Sequence, residues 1–162
     1  MVGCGLKASE LWKKENWKKL RRNLFRLQVR VYKAIRAGDK RKAKSLQKLI
    51  LKSYAARMLA VRQVTQLNDG KRTPGIDGKA SLTFHERLNL SQWLRNHYNN
   101  WQHQGLREIP IPKKDGKIRI LKVPTIADRA WQCLVKSAME PAHEAAFHAR
   151  SYGFRTGVRF VG

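Results

Sequence analysis

Acidic residues are scarce in this 162-residue chain: 11 Asp and Glu stand against 35 Lys and Arg, for a net charge of +24. Most helix cations therefore lack a carboxylate partner four residues away. A pI near 10.9 disfavours other basic proteins and favours polyanions, nucleic acid first among them. Cysteine is nearly absent. Cys4 and Cys133 lie far apart, one near a terminus and one on an expected helix, which argues against a disulfide framework or zinc knuckle and fits a reducing compartment. No apolar run approaches membrane-spanning length, and no apolar stretch follows the first lysine as in a secretory signal, so neither a membrane partner nor secretion is expected. A Walker loop, a nucleophile elbow and a paired Ser–His arrangement are missing too. His143 and His148 are one residue too far apart for an HExxH zinc motif, since five residues turn about 140° around a helix and split the rings between faces. No metal site is expected in this chain.

What is present is arranged unevenly. Residues 1–68 hold 19 cations and 3 acids, net +16, and the remainder 16 cations and 8 acids, net +8. Leu20, Leu24, Leu27, Val31 and Ala34 recur at helical spacing, with Arg21, Arg22, Arg26, Arg30 and Lys33 around them. The spacing predicts a helix over about 13–37. After a Gly38-Asp39 break, Ala43, Leu46, Ile50, Tyr54, Met58 and Val61 predict a second over 40–66. The two stripes suit a helical hairpin; a basic coiled-coil adaptor is the alternative. Asn68-Asp69-Gly70 is turn chemistry, and Arg72-Thr73-Pro74-Gly75-Ile76-Asp77-Gly78 follows as a tight loop, a surface linker on its residues alone. A third helix is expected over 83–104, with Phe84, Tyr98 and Trp101 as core aromatics.

From Ile109 to Val123 the pattern is a hairpin whose first strand, with Pro110 and Pro112, suits only a sheet edge. A two-residue Asp-Gly turn would put Lys113 and Arg119 on opposite faces. A three-residue loop of Lys114, Asp115 and a left-handed Gly116 pairs Lys113 with Lys117 and brings Arg119 to the same face. Three like charges then converge, which suits a bound anion; a lysine-blunted edge that resists aggregation is the other reading. Thr125-Ile126-Ala127-Asp128 reads as a capping box opening a helix over 126–140, with Pro141 as a break or a new start. Ser151-Tyr152-Gly153-Phe154-Arg155 follows as a glycine turn between two aromatics able to stack on a base or sugar.

The succession IPKKDGKIRIL, VPTIADRAWQ and SYGFRTG, with TPGIDG upstream and a basic helical segment ending AVRQVT, resembles the N-terminal and fingers region of group II intron reverse transcriptases, the maturase family. The resemblance runs from about Trp12 onward, in order and spacing. Ile120 and Lys122 replace the family's more frequent Pro and Gly. The resemblance implies a mostly helical α+β fold: a basic RNA-binding segment, 1–68, then a partial fingers lobe, 69–162, that stops where the family's palm begins. It further implies that Lys113 and Arg119 meet a nucleotide triphosphate. RNA or template contacts are implied at Arg21, Arg22, Arg26, Arg30 and Lys33, at Arg72, Thr73, Pro74, Gly75, Asp77 and Gly78, and at Tyr152, Phe154 and Arg155. The family's metal-binding aspartates belong to the palm, so this chain alone is expected to be inactive as a polymerase, with Mg²⁺ needed only in a complete enzyme. Group II intron RNA is the implied partner, with a separate palm-containing fragment as a second; a stand-alone basic RNA-binding accessory module is the alternative. The implied location is a prokaryotic cytoplasm or an organelle interior.

Overall fold

The computed structural model describes residues 4–147 and Phe160, with side chains from Lys7 onward. The elements are α1 (Cys4–Lys14), α2 (Trp17–Arg36), α3 (Lys40–Lys52), α4 (Tyr54–Arg62), α5 (Phe84–His97), β1 (Arg107–Pro112), β2 (Ile118–Val123) and α6 (Ile126–Ala146). A π-helical turn (Gln63–Leu67) and a 3₁₀ turn (Asp69–Arg72) carry α4 into the following loop. The fold is mostly helical α+β, as expected.

Two compact units are present, and neither is continuous in sequence. One comprises residues 1–14 and 61–132, the other 15–60 and 133–162, so that α4 and α6 each pass from one unit into the other. The 1–68 and 69–162 division marks charge and family motifs; the compact units cut the chain elsewhere.

Within the second unit, α2 and α3 pack as the expected helical hairpin. Leu20, Val31 and Ala34 are buried on one helix, and Ala43, Leu46 and Ile50 on the other. Both starts are capped by side chains: the Asn16 carbonyl oxygen accepts from Lys19 N–H and the Asp39 carboxylate from Lys42 N–H. The Asn16 cap starts α2 at Trp17 and separates it from α1, where the sequence spacing predicted one helix from 13. The expected 40–66 helix is likewise divided. Ser53 is extended (φ −73°, ψ 133°) and its hydroxyl accepts from Ala56 N–H, so one chain position ends α3 and caps α4.

Pro141 does not break α6. A proline inside a helix leaves the carbonyl four residues earlier without its N–H donor. Here that carbonyl, Ser137 O, accepts from the buried Gln28 side chain at 2.9 Å, and Ala138 O accepts from Gln47 at 3.2 Å. The Gln28 carboxamide of α2 thus supplies what the helix lacks, and α6 continues to Ala146 rather than stopping near 140.

In the first unit, α1 packs on α5. Trp12 is buried, its indole N–H donates to Gln66 Oε1, and the Arg87 guanidinium lies 5.2 Å from its ring and 4.9 Å from Phe84. A complete capping box, Thr83 with Glu86, opens α5, and the backbone hydrogen bond from Thr83 holds the Glu86 carboxyl below its ordinary value. The helix ends at His97, short of the expected 104, and residues 101–106 run as irregular chain into β1.

Candidate nucleic-acid interface

Three groups of residues carry the candidate interface. The first is the α2–α3 face. Between Trp17 and Lys52 there are fourteen cations and one acid, Asp39, and all fourteen cations are exposed. Asp39 is itself engaged as the α3 cap. Arg21, Arg22, Arg26, Arg30 and Lys33 all belong to this surface, on the solvent side of the stripe that buries Leu20, Val31 and Ala34. With helix neighbours this uniformly positive, the local field favours an anionic polymer over any intramolecular partner.

The second is the hairpin. The register pairs Ile111 with Arg119 and Pro112 with Ile118, Lys113 N–H donates to Lys117 O at 2.7 Å, and Gly116 has φ +81°. The loop is therefore the three-residue one, and Lys113, Lys117 and Arg119 occupy one face. Asp115 accepts from Lys117 N–H and stiffens the turn. Because the inward-facing pairs are the odd-numbered ones, Pro110 and Pro112 sit where an N–H would point away from β2. Their missing donors cost the ladder nothing. Every residue from 110 to 122 is exposed, so the cationic face stands open to solvent.

The third is the loop at 70–78. The Arg129 guanidinium on α6 gathers it, donating to Gly70 O at 2.9 Å, to Thr73 O, and through Nε to Pro124 O at 3.0 Å. Burial pulls this guanidinium below its ordinary value while Asp77 acts in the opposite sense. Arg107 donates to Pro74 O at 3.1 Å. Gly75 is buried, and a Cβ there would lie 2.6 Å from the Thr125 backbone and 2.9 Å from Pro124 C. The close backbone approach that Gly75 permits is thus to its own chain at the β2–α6 junction. Gly78 (φ +71°) has open space around it and serves the turn. Arg72 and Gly78 are exposed, and Thr73, Pro74 and Asp77 half-buried.

Asp128 departs from its expected role. Thr125 Oγ1 accepts from Asp128 N–H, which is half of a capping box, but the carboxylate turns to Trp101 Nε1 at 2.7 Å and Gln104 N–H at 3.1 Å. It holds the 101–104 segment rather than the helix start. Neither this carboxylate nor Asp77 and Asp115, which accept from Lys79 N–H and Lys117 N–H, belongs to a metal-ligand cluster. Among the described residues no group of three His, Cys, Asp or Glu side chains is placed to hold a metal ion. Tyr152, Phe154 and Arg155 lie outside the described residues, as does His148. No helix among the described residues is long and apolar enough to cross a membrane.

The Arg129 clamp and the Gln28–Ser137 bond were not anticipated from the sequence. The only local hint was the Thr-Pro-Gly turn, whose glycine needed a neighbour to explain it.

Comparison with known proteins places these features in a lineage. The family described as the N-terminal domain of reverse transcriptase matches residues 12–94. The chain is 44% identical over 142 residues to "Maturase-like protein 1" of Euglena gracilis, covering 88% of this chain and 31% of that protein. Its counterpart in Euglena longa is 40% identical over 141 residues, covering 87% and 31%. "Protein YkfC" of Escherichia coli (strain K12) is 40% identical over 96 residues, covering 57% of this chain and 25% of that protein. The chain thus spans under a third of the length of these relatives.

Proposed function

Since the chain belongs to the group II intron reverse transcriptase/maturase family and covers its N-terminal region, we propose that it binds intron RNA through α2 and α3 and assists splicing. One observation carries this reading: fourteen exposed cations between Trp17 and Lys52 face a single acid already engaged as a cap. Such a surface is repelled by itself and by other basic proteins, and each phosphate it meets releases counterions. The reading places the chain where its intron is transcribed, a prokaryotic cytoplasm or an organelle interior.

Lys113 and Arg119 serve a different part of the polymer's chemistry. On an exposed hairpin face they suit the triphosphate of a nucleotide in the complete enzyme, as charge-assisted donors to phosphate oxygens. The Arg129-clamped loop at 70–78 supports the base of that hairpin, with Arg72 facing solvent beside it. Reverse transcription itself is assigned to carboxylates supplied with a palm, whether in the same polypeptide or in a partner fragment.

The test is an RNA titration across salt with the full chain and a group II intron domain as ligand. The log–log slope is expected to be steep, falling by roughly 0.7–0.9 for each phosphate neutralised. Replacing Arg21, Arg22, Arg26 and Arg30 by glutamine should flatten it by several units of contact. A nearly flat slope in the unaltered chain would sink the reading.

A further inference from the structure

The first unit contains a cavity that the basic surfaces do not explain. It has a volume of about 610 Å³ and is lined by Trp93, Trp101, His103, Asn89, Gln102 and Asp77, among others. The volume falls within the roughly 300–1,000 Å³ typical of small-ligand sites. Its lining differs from the rest of the chain: two tryptophans, carboxamide edges and the carboxylates Asp77, Glu86 and Asp128 against one lysine, Lys79, in a protein of net charge +24. A phosphate does not belong there. A flat, neutral, hydrogen-bonding group does.

The walls are preorganised. Asp128 uses both carboxylate oxygens to hold Trp101 and Gln104, and the Trp101 ring stacks on Trp131 at 6.3 Å. Trp93 stacks on His97 with centroids 3.8 Å apart, yet 55% of its surface remains exposed. One large aromatic is thus fixed in orientation and still open to a ligand, an arrangement suited to stacking on a base.

Across Leu82, which lines both, lies a second cavity of about 320 Å³ whose walls include Lys71, Arg72, Arg87 and Ser81. This one is cationic. Ser81 carries φ 51°, the single positive value for a non-glycine residue among those described, and such backbone conformations concentrate at ligand clamps. An aromatic cavity with room for a base and a cationic one with room for a phosphate therefore share one wall.

We propose that this pair of cavities takes one unpaired nucleotide extruded from an RNA strand, its base on Trp93 and its phosphate against Arg72 and Lys71. The proposal rests on the RNA-binding reading above and adds to it a point of structure-selective contact. The basic helices supply affinity for any RNA; the pocket distinguishes a bulged or looped-out nucleotide from paired stem. The amide groups of Asn89 and Gln102 offer donors and acceptors to a base edge.

The experiment uses the full chain and three RNA hairpins that differ only at one bulge position: 2-aminopurine, an abasic site, or no bulge. Binding is measured at fixed and at varied salt, for the parent chain, Trp93→Ala and Trp93→Phe. Expected are about tenfold tighter binding of the base-bearing bulge over the abasic one, in line with base–aromatic stacking, and quenching of 2-aminopurine fluorescence. Trp93→Ala should remove both effects with the salt slope unchanged, and Trp93→Phe should restore most of each. A steep salt slope with no preference for the base-bearing bulge overturns the pocket and leaves the basic helices standing. Absence of RNA binding at low salt overturns both. Displacement of the bulged RNA by guanosine monophosphate at equal concentration, or by a short arginine peptide that leaves the abasic hairpin bound, overturns the strand-borne nucleotide in favour of a free nucleotide or a cationic side chain.

Discussion

Replacing Gly75 by alanine is expected to destabilise the first unit more than any other single methyl addition in the 70–78 loop. The added Cβ would lie 2.6 Å from both Thr125 Cα and Thr125 N and 2.9 Å from Pro124 C. These are backbone atoms, so no side chain can swing aside, and the loop itself must retreat. Overpacking of this kind costs roughly 1–3 kcal/mol. Retreat also lengthens the bonds from Arg129 to Gly70 O and Thr73 O, at about 1 kcal/mol each. The sum is about 3–5 kcal/mol, or a melting temperature lowered by roughly 6–20 °C for a chain of this size. Gly78→Ala is the control: its φ of +71° carries a conformational penalty but nothing lies within 4 Å, so about 1 kcal/mol is expected. Urea unfolding of both variants, with hydrogen exchange at residues 70–78 and 124–129, separates the cases. If Gly75→Ala proves as mild as Gly78→Ala, the packing of this loop on the β2–α6 junction is not as described.

Lys113→Ala and Arg119→Ala should each weaken binding of a fluorescent nucleoside triphosphate about tenfold, whereas Lys122→Ala, on the opposite hairpin face by the register, should change it little; equal losses from all three would mean diffuse charge rather than a clamp. Tyr54 is raised from 10.0 to about 12, first by burial and then by its hydrogen bond to Glu15. A group raised on folding contributes stability that is complete below its unfolded value and lost as pH climbs through the folded one. The Tyr54→Phe variant should therefore lack the part of alkaline destabilisation that the parent shows between about 10 and 12, and identical alkaline curves would refute it. Primer extension on an RNA template with Mg²⁺ or Mn²⁺ should give no product from this chain alone. Product from the purified chain would refute that, and product only after mixing with a palm-containing fragment would mark a split enzyme.

The hairpin was legible in the sequence because its determinants are local. Asp115-Gly116 and the alternation around it fix the loop length, and loop length fixes which side chains share a face. The α2 and α3 stripes were legible for the same reason. What escaped was decided at a distance. Helix periodicity runs straight through Ser53, and only the backbone shows it extended. Whether Pro141 ends a helix depends on a carboxamide 109 residues upstream of Ser137. Asp128 has the spacing of a cap, but a tryptophan 27 residues earlier offers a stronger donor. Of the candidate site, the basic face could be counted from the sequence, whereas the cavity beside Trp93 could not: Trp101 matched the helical pattern of α5 and was assigned to a core instead of a wall.

The discontinuous units bear on the order in which the chain folds. The α2–α3 hairpin joins residues close in sequence and can form as soon as Lys52 is made, since short loops close with little entropy loss. Helix α1 cannot do the same, because Trp12 finds Gln66 only 54 residues later and Arg87 later still. The 70–78 loop waits longer, for Arg129. During synthesis, the most positively charged segment thus matures first, and the contacts of Trp12 with Gln66 and Arg87 form only later. On the RNA-binding reading proposed above, the nascent chain offers RNA its basic hairpin before the rest of these units has formed.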